Sequence, residues 1–168
     1  MGESSWLAAP YLPYVPPGTI VFHQIRDPLE VVRSKLRIRF FERERVVRTL
    51  AFALQHCPDI NPGSPFEKSI KYWIYWNLIT EQAERQKHLN YFRYRIEDLD
   101  RNLLANILDI VGFKASWAKI DSALAQHPKD FNTHGDKSGD DSVTWKNLQD
   151  NALYSELRDA VNKYNYNI

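Results

Sequence analysis

Arg26 and Ser34 are the residues of this chain whose types and spacing best suit anion binding. They lie in the segment TIVFHQIRDPLEVVRS, which spans 19–34, with Ser34 eight residues after Arg26. Arginine carries a planar, always charged guanidinium that matches phosphate, and serine adds a hydroxyl donor. A helix start between them would add backbone N–H groups and a partial positive charge. The alternative is structural: Arg26 pairs with Asp27 or another carboxylate, and Ser34 binds nothing.

A strand and the following helix must position these two side chains. Residues 19–25 form an apolar, β-branched run, which is typical of a parallel strand buried on both faces. Arg26 is predicted as its last residue. Asp27 suits the N-cap of the next helix, Pro28 its first position, and Glu30 is placed to close a capping box. The candidate site therefore falls at the carboxyl end of a strand, where ligands bind in open α/β sheets.

The rest of the chain predicts a second strand and a set of helices. Apolar periodicity and capping signals predict helices over 6–9, 28–40, 42–56, 64–88, 99–111, 116–126 and from Thr144 toward the C-terminus. The second strand is expected at 91–95. A long helical crossover joins the two strands, so they should be parallel. The predicted class is α/β, a partial parallel sheet flanked by helices, in one domain that spans 1–168.

Composition favours a folded domain in the cytoplasm. The 168 residues are 43% hydrophobic and 13% aromatic, and the formal net charge is +1. Cys57 is the single cysteine, so no internal disulfide can form, and a metal site is not expected. No run is long and apolar enough to span a membrane, and the N-terminus lacks a signal-peptide pattern. We therefore expect no membrane partner.

Four segments resemble motifs of the PAPS-dependent sulfotransferases, where PAPS is 3′-phosphoadenosine 5′-phosphosulfate. In the 3′-phosphate motif of that family a strand ends in Arg-Asp/Asn-Pro, and a serine follows eight residues after the arginine. Residues 23–34 keep this spacing. Residues 3–10, 95–99 and 143–148 resemble three further motifs in the order of the family. The resemblance implies a P-loop NTPase-like fold over most of the chain.

The same resemblance implies a nucleotide site and a reaction. Arg26 and Ser34 would hold the 3′-phosphate of PAPS as donor, or of PAP (adenosine 3′,5′-bisphosphate) as product. Lys137, Ser138 and Gly139 resemble a basic, glycine-containing loop of the family that reaches the same phosphate. The implied activity is transfer of a sulfuryl group to a hydroxyl or amine acceptor, which the sequence does not identify.

Several parts of the family pattern have no counterpart in this sequence. No G-x-x-x-x-G-K-S/T motif or looser glycine-rich equivalent occurs, and the catalytic residues stay unknown. Ile96 stands where the family usually has a tyrosine that approaches adenine, so that contact is not implied. Two parallel strands also leave open edges and need neighbours. We therefore expect a sulfotransferase fold that is incomplete at its N-terminus, without its first strand and loop.

Two other interpretations stay open. The chain could be a non-catalytic nucleotide-binding or subunit-interaction relic of the same fold, present as a homo-oligomer that covers the open sheet edge. Alternatively, the arginine-rich region over 33–48 could bind nucleic acid. The second interpretation is disfavoured because the net charge is near zero and few aromatic residues alternate with the basic ones.

Overall fold

The two predicted strands form and pair in parallel. We describe a computed structural model in which residues 6–42, 47–126 and 142–166 are placed. Strand β1 (Ile20–Ile25) pairs with β2 (Asn90–Arg95), with Ile20 opposite Asn90 and Ile25 opposite Arg95. Arg26 follows β1 directly, so the strand ends one residue earlier than predicted.

Helices make up most of the described residues, so the α/β class holds with a small sheet. They are α1 (Pro28–Arg37), α2 (Val47–His56), α3 (Pro65–Glu81), α4 (Arg101–Ile110), α5 (Trp117–Gln126), α6 (Trp145–Gln149) and α7 (Tyr154–Lys163). Short 3₁₀ segments lie at Trp6–Tyr14, Pro58–Ile60, Gln82–Arg85 and Ile96–Asp98. None of the helices in the described ranges has the length and apolar character needed to cross a membrane.

The predicted helix starts are largely confirmed. The Asp27 side chain accepts the Glu30 N–H at 3.1 Å and caps α1, with Pro28 in the first position. Ser64 and Glu67 form the predicted capping box at the start of α3. Gly112 follows α4 with a φ of +75°, a left-handed conformation that glycine adopts without steric cost.

Several helix boundaries differ from the prediction: α1 ends at Arg37 and not at Phe40, α4 begins at Arg101 and not at Leu99, and three further differences change the path of the chain. The segment at Trp6 is a 3₁₀ helix that runs through Pro10 to Tyr14 instead of stopping at the proline. α3 ends at Glu81 and not near His88, because a 3₁₀ turn redirects the chain toward β2. The final helix is interrupted, since the Asn151 side chain accepts the Leu153 N–H at 2.9 Å and turns the chain between α6 and α7.

Only one face of β1 is buried, so the prediction of burial on both faces is wrong. Val21, His23 and Ile25 point inward, whereas Ile20 is 37% exposed and Gln24 is also exposed. The inner face packs on α3 and on residues of α7. The fully buried members of that core are Ile25, Val32, Ile70, Ile74, Leu148, Leu157 and Val161. In the described part of the chain no layer covers the outer face of the sheet.

Candidate anion-binding site at the end of β1

The structure places Arg26 at the junction of β1 and α1 with its guanidinium half-exposed. The Trp73 indole N–H donates to the Arg26 carbonyl oxygen at 2.8 Å, which fixes the backbone. The side chain is 44% exposed, and its Nη2 lies 3.8 Å from Glu30 Oε2. An exposed ion pair at that distance contributes little to stability and is readily exchanged for another anion.

Ser34 lies on the same side of α1 as this ion pair. Arg26, Glu30 and Ser34 are spaced four residues apart, so they follow one another along one helix face. Ser34 is half-buried, and its hydroxyl makes no hydrogen bond to another described residue. The two predicted phosphate ligands thus share one face, with the Glu30 carboxylate between them.

The N-terminus of α1 is already occupied by carboxylates of the chain. The Glu30 N–H bonds to the Asp27 side chain at 3.1 Å, and the pKa of Asp27 is raised chiefly by burial. The Asp27 N–H donates to Glu97 Oε1 at 2.7 Å. The prediction that Glu30 closes this capping box is therefore wrong, because Glu97 takes its place. An anion here would bind through the Arg26 and Ser34 side chains.

Two of the segments that resembled separate sulfotransferase motifs contact α1 or its N-cap, and a third contacts α3. Glu97, from the segment 95–99, caps the Asp27 N–H as described. Arg33 Nε donates to the Val143 carbonyl oxygen at 2.8 Å, which joins the segment 143–148 to the same helix. At the other end of the chain, the Trp6 carbonyl oxygen accepts the Trp76 indole N–H at 3.0 Å. Lys137, Ser138 and Gly139 lie outside the described residues.

The basic residues of α1 do not form an outward-facing surface. Arg33 also pairs with Glu30 at 3.0 Å. The Lys35 ammonium lies 4.0 Å from the centre of the Phe40 ring and 4.2 Å from that of Tyr72. Burial lowers the pKa of Lys35 to about 8. Arg37 Nε is buried without a hydrogen-bond partner in the described part of the chain. These placements weaken the nucleic-acid interpretation.

A buried polar network under β1 was missed by the sequence analysis. Asn77 Nδ2 donates to the Trp73 carbonyl oxygen at 2.7 Å, so Asn77 Oδ1 faces His23 Nε2 at 2.9 Å. His23 therefore carries its proton on Nε2, and Nδ1 accepts the Tyr91 hydroxyl at 2.5 Å. Burial lowers the pKa of His23. The sequence did hold one signal for the burial of His23. His23 is two residues from Val21, and alternate residues of a strand lie on the same face of the sheet.

A cavity of about 280 Å³ lies at the carboxyl ends of β1 and β2, and neither Arg26 nor Ser34 lines it. Its cationic side chains are neutralised within the chain. Arg95 makes two hydrogen bonds of 2.6 Å to Asp98, and Lys163 is paired with Glu81. The cavity thus has room for a ligand at a strand end, but its lining has no cation without an anionic partner in the chain.

The comparisons with known proteins add no family to this geometry. No family model, curated protein or solved structure matches the chain.

Proposed function

We propose that this chain binds the 3′-phosphate end of PAPS or PAP and derives from a sulfotransferase. The observation that carries the proposal is the Arg26–Ser34 face of α1. A guanidinium held only by a 3.8 Å ion pair lies on the same helix face as a serine hydroxyl with no bond to other described residues. Arg26 stands at the carboxyl end of a parallel strand, where α/β proteins bind ligands, and Ser34 follows about two turns into α1.

The expected strength of this site is modest. A hydrogen bond to a charged group contributes about 1.5–3 kcal/mol, and the Glu30 N–H at the start of α1 is already used by Asp27. After the cost of association, two such side chains support binding on the order of micromolar to millimolar. Such a site anchors the nucleotide by its 3′-phosphate and leaves the 5′ end for other groups.

Sulfuryl transfer by an intact enzyme would need further groups around the sulfur. The acceptor hydroxyl or amine attacks sulfur in line with the leaving 5′-phosphate, and catalysis depends on positioning and charge neutralisation. The sequence contains no glycine-rich phosphate loop that could supply these. The function proposed for these residues is therefore donor binding, with an unidentified hydroxyl or amine as acceptor.

Isothermal titration calorimetry with adenosine 3′,5′-bisphosphate tests the proposal. We expect binding to wild type, at least tenfold weaker binding to Arg26→Ala, and little binding of 5′-AMP, which lacks the 3′-phosphate. Arg48→Ala, an exposed arginine on α2, is the charge-matched control and should bind as wild type does. Equal affinity of Arg26→Ala and wild type would refute the site.

The second candidate function is a non-catalytic subunit module of the same fold. The observation that favours it is the sheet, which has an uncovered face and two unpaired edges within the described residues. A folded chain that self-associates and binds no bisphosphate would favour this function over donor binding.

A further inference from the structure

The free edge of β1 presents regularly spaced, unpaired backbone groups. The Asn90 N–H donates to the Thr19 carbonyl oxygen at 3.0 Å, and Ile20 lies opposite Asn90. In a parallel ladder this pattern turns the odd-numbered residues of β1 toward β2. The N–H and C=O groups of Ile20, Phe22 and Gln24 therefore point to the other edge. No backbone hydrogen bond joins them to another part of the described chain.

The two edges of the sheet differ in how they are protected. Strand β2 carries Arg93 and Arg95, charges of the kind that discourage edge-to-edge pairing. Strand β1 has the sequence IVFHQI, without a formal charge, and its histidine is buried with a lowered pKa. Its composition is that of a central strand, yet it lies at an edge. The edge of β1 can therefore pair with another strand, whereas the charged residues of β2 disfavour such pairing at its own edge.

The outer face next to this edge is apolar. The Phe22 and Phe92 rings stack with their centres 5.7 Å apart, and Phe92 is 39% exposed. Ile20 is 37% exposed on the same face. A strand added beside β1 would extend this row of side chains and cover part of it.

We propose that β1 pairs with β1 of a second copy of this chain, antiparallel about a two-fold axis at Phe22. In that register Phe22 lies opposite its own counterpart, and Ile20 lies opposite Gln24. Both pairs are hydrogen-bonded pairs of an antiparallel ladder, so every unpaired group of the three residues finds a partner. The result is a four-stranded sheet with a continuous row of phenylalanine rings on its outer face.

A second copy fits this edge because the pairing is self-complementary and free of charge repulsion. The unpaired groups are distributed symmetrically about Phe22, as an isologous interface requires. Strand β2 instead carries Arg93 and Arg95, charged residues of the kind that protect an edge strand from such pairing. The proposal does not depend on nucleotide binding.

Light scattering coupled to size exclusion gives the first test. We expect a mass about twice the 19.7 kDa of the chain. Gln24→Pro removes one outward N–H, which an edge strand tolerates, and should give a folded monomer. Gln24→Ala is the matched control, since it loses the same side-chain bond to the Tyr94 hydroxyl but keeps the N–H, and it should stay dimeric. A monomeric wild type at all concentrations would overturn the proposal.

A cysteine pair tests the register, and it stays informative if the proline variant unfolds. Facing Cα atoms of a hydrogen-bonded pair are about 5.5 Å apart, within disulfide range, so Phe22→Cys should cross-link two copies under oxidised glutathione. In the same dimer, the two copies of residue 92 would be three strand spacings apart, about 14 Å. Phe92→Cys, on the same face of the sheet, should therefore not cross-link. The native Cys57 should not form a disulfide in this assay, because it is buried and burial raises its pKa to about 11.

The other routes to a dimer give opposite results. A dimer held by the exposed Val111, Phe113 and Trp117 side chains would persist in Gln24→Pro and would not cross-link through position 22. A dimer in which Phe92→Cys cross-links as well as Phe22→Cys would place the partner elsewhere on the sheet. Either finding overturns pairing through β1.

Discussion

At the scale of single residues, Glu30 competes with any anion for Arg26. Its carboxylate approaches Arg26 at 3.8 Å and Arg33 at 3.0 Å, with 44% of its side chain exposed. Removing its charge frees the guanidinium and lowers repulsion against a phosphate. We expect Glu30→Gln to bind adenosine 3′,5′-bisphosphate roughly two- to fivefold more tightly, the range of an exposed ion pair. Calorimetry checks this, with Asp109→Asn, exposed on α4, as the control that should leave affinity unchanged.

His23 makes stability depend on pH. Burial lowers its pKa below the ordinary 6.5, so below pH 6.5 the unfolded chain takes up a proton that the folded chain resists. The free energy of unfolding is therefore fully retained above pH 6.5 and falls as the pH drops toward the folded pKa. One proton limits the slope to about 1.4 kcal/mol per pH unit.

Urea unfolding at pH 7.5 and 5.5 measures this dependence. We expect wild type to lose stability at the lower pH and His23→Gln, which cannot take up the proton, to lose less between the two values. His88→Gln, half-buried outside the network, should keep the wild-type difference. An equal loss in wild type and His23→Gln would show that other groups control the response.

At the scale of elements, Glu97 joins the two strand ends. It accepts the Asp27 N–H at 2.7 Å and the Tyr166 hydroxyl at 2.8 Å, and so ties the start of α1 to the end of β2 and the C-terminal residues. We expect Glu97→Ala to lower the free energy of unfolding by about 1 kcal/mol, the usual cost of a lost cap. Chemical denaturation checks this, and Asp109→Ala on exposed α4 should change little.

The same junction shows which features the sequence could predict. Asp27-Pro28 and Ser64-Pro65 signal helix starts locally, and both helices begin there. The parallel pairing of β1 and β2 could also be predicted, because a long helical crossover joins the two strands. Glu97 as the partner of the Asp27 N–H could not be read from the sequence, because the two residues are 70 positions apart and Glu30 stood at the usual local spacing.

The exposed face of β1 was missed for a similar reason. An apolar run indicates that burial of both faces of a strand would be favourable. It does not show whether a second layer of helices is present to cover the outer face. Of the predicted site, Arg26 and Ser34 could be placed on one helix face from spacing alone. Of the two carboxylates at the start of α1, Asp27 was predicted as the N-cap, whereas Glu97 arrives through a tertiary contact that no local pattern encodes.

At the scale of the whole molecule, Glu81 connects parts of the chain that are distant in sequence. It ends α3, and its side chain is 7% exposed between Arg93 of β2, at 3.0 Å, and Lys163 of α7. Burial and the nearby Glu81 carboxylate raise the pKa of Tyr164. One buried charge thus holds the edge strand and the last helix against the central helix.

Removing that charge should loosen the packing of the whole chain. Glu81→Ala leaves Arg93 and Lys163 without their buried partner, a cost of about 3–5 kcal/mol for fully buried pairs. Because the two cations are 30% and 46% exposed, we expect a smaller loss of about 2 kcal/mol in the free energy of unfolding. Glu84→Ala is the matched control, since Glu84 approaches the same Arg93 at 3.8 Å but is 52% exposed, and it should cost less than about 0.5 kcal/mol. Similar losses for the two variants in urea unfolding would show that burial of the Glu81 carboxylate does not hold these three elements together.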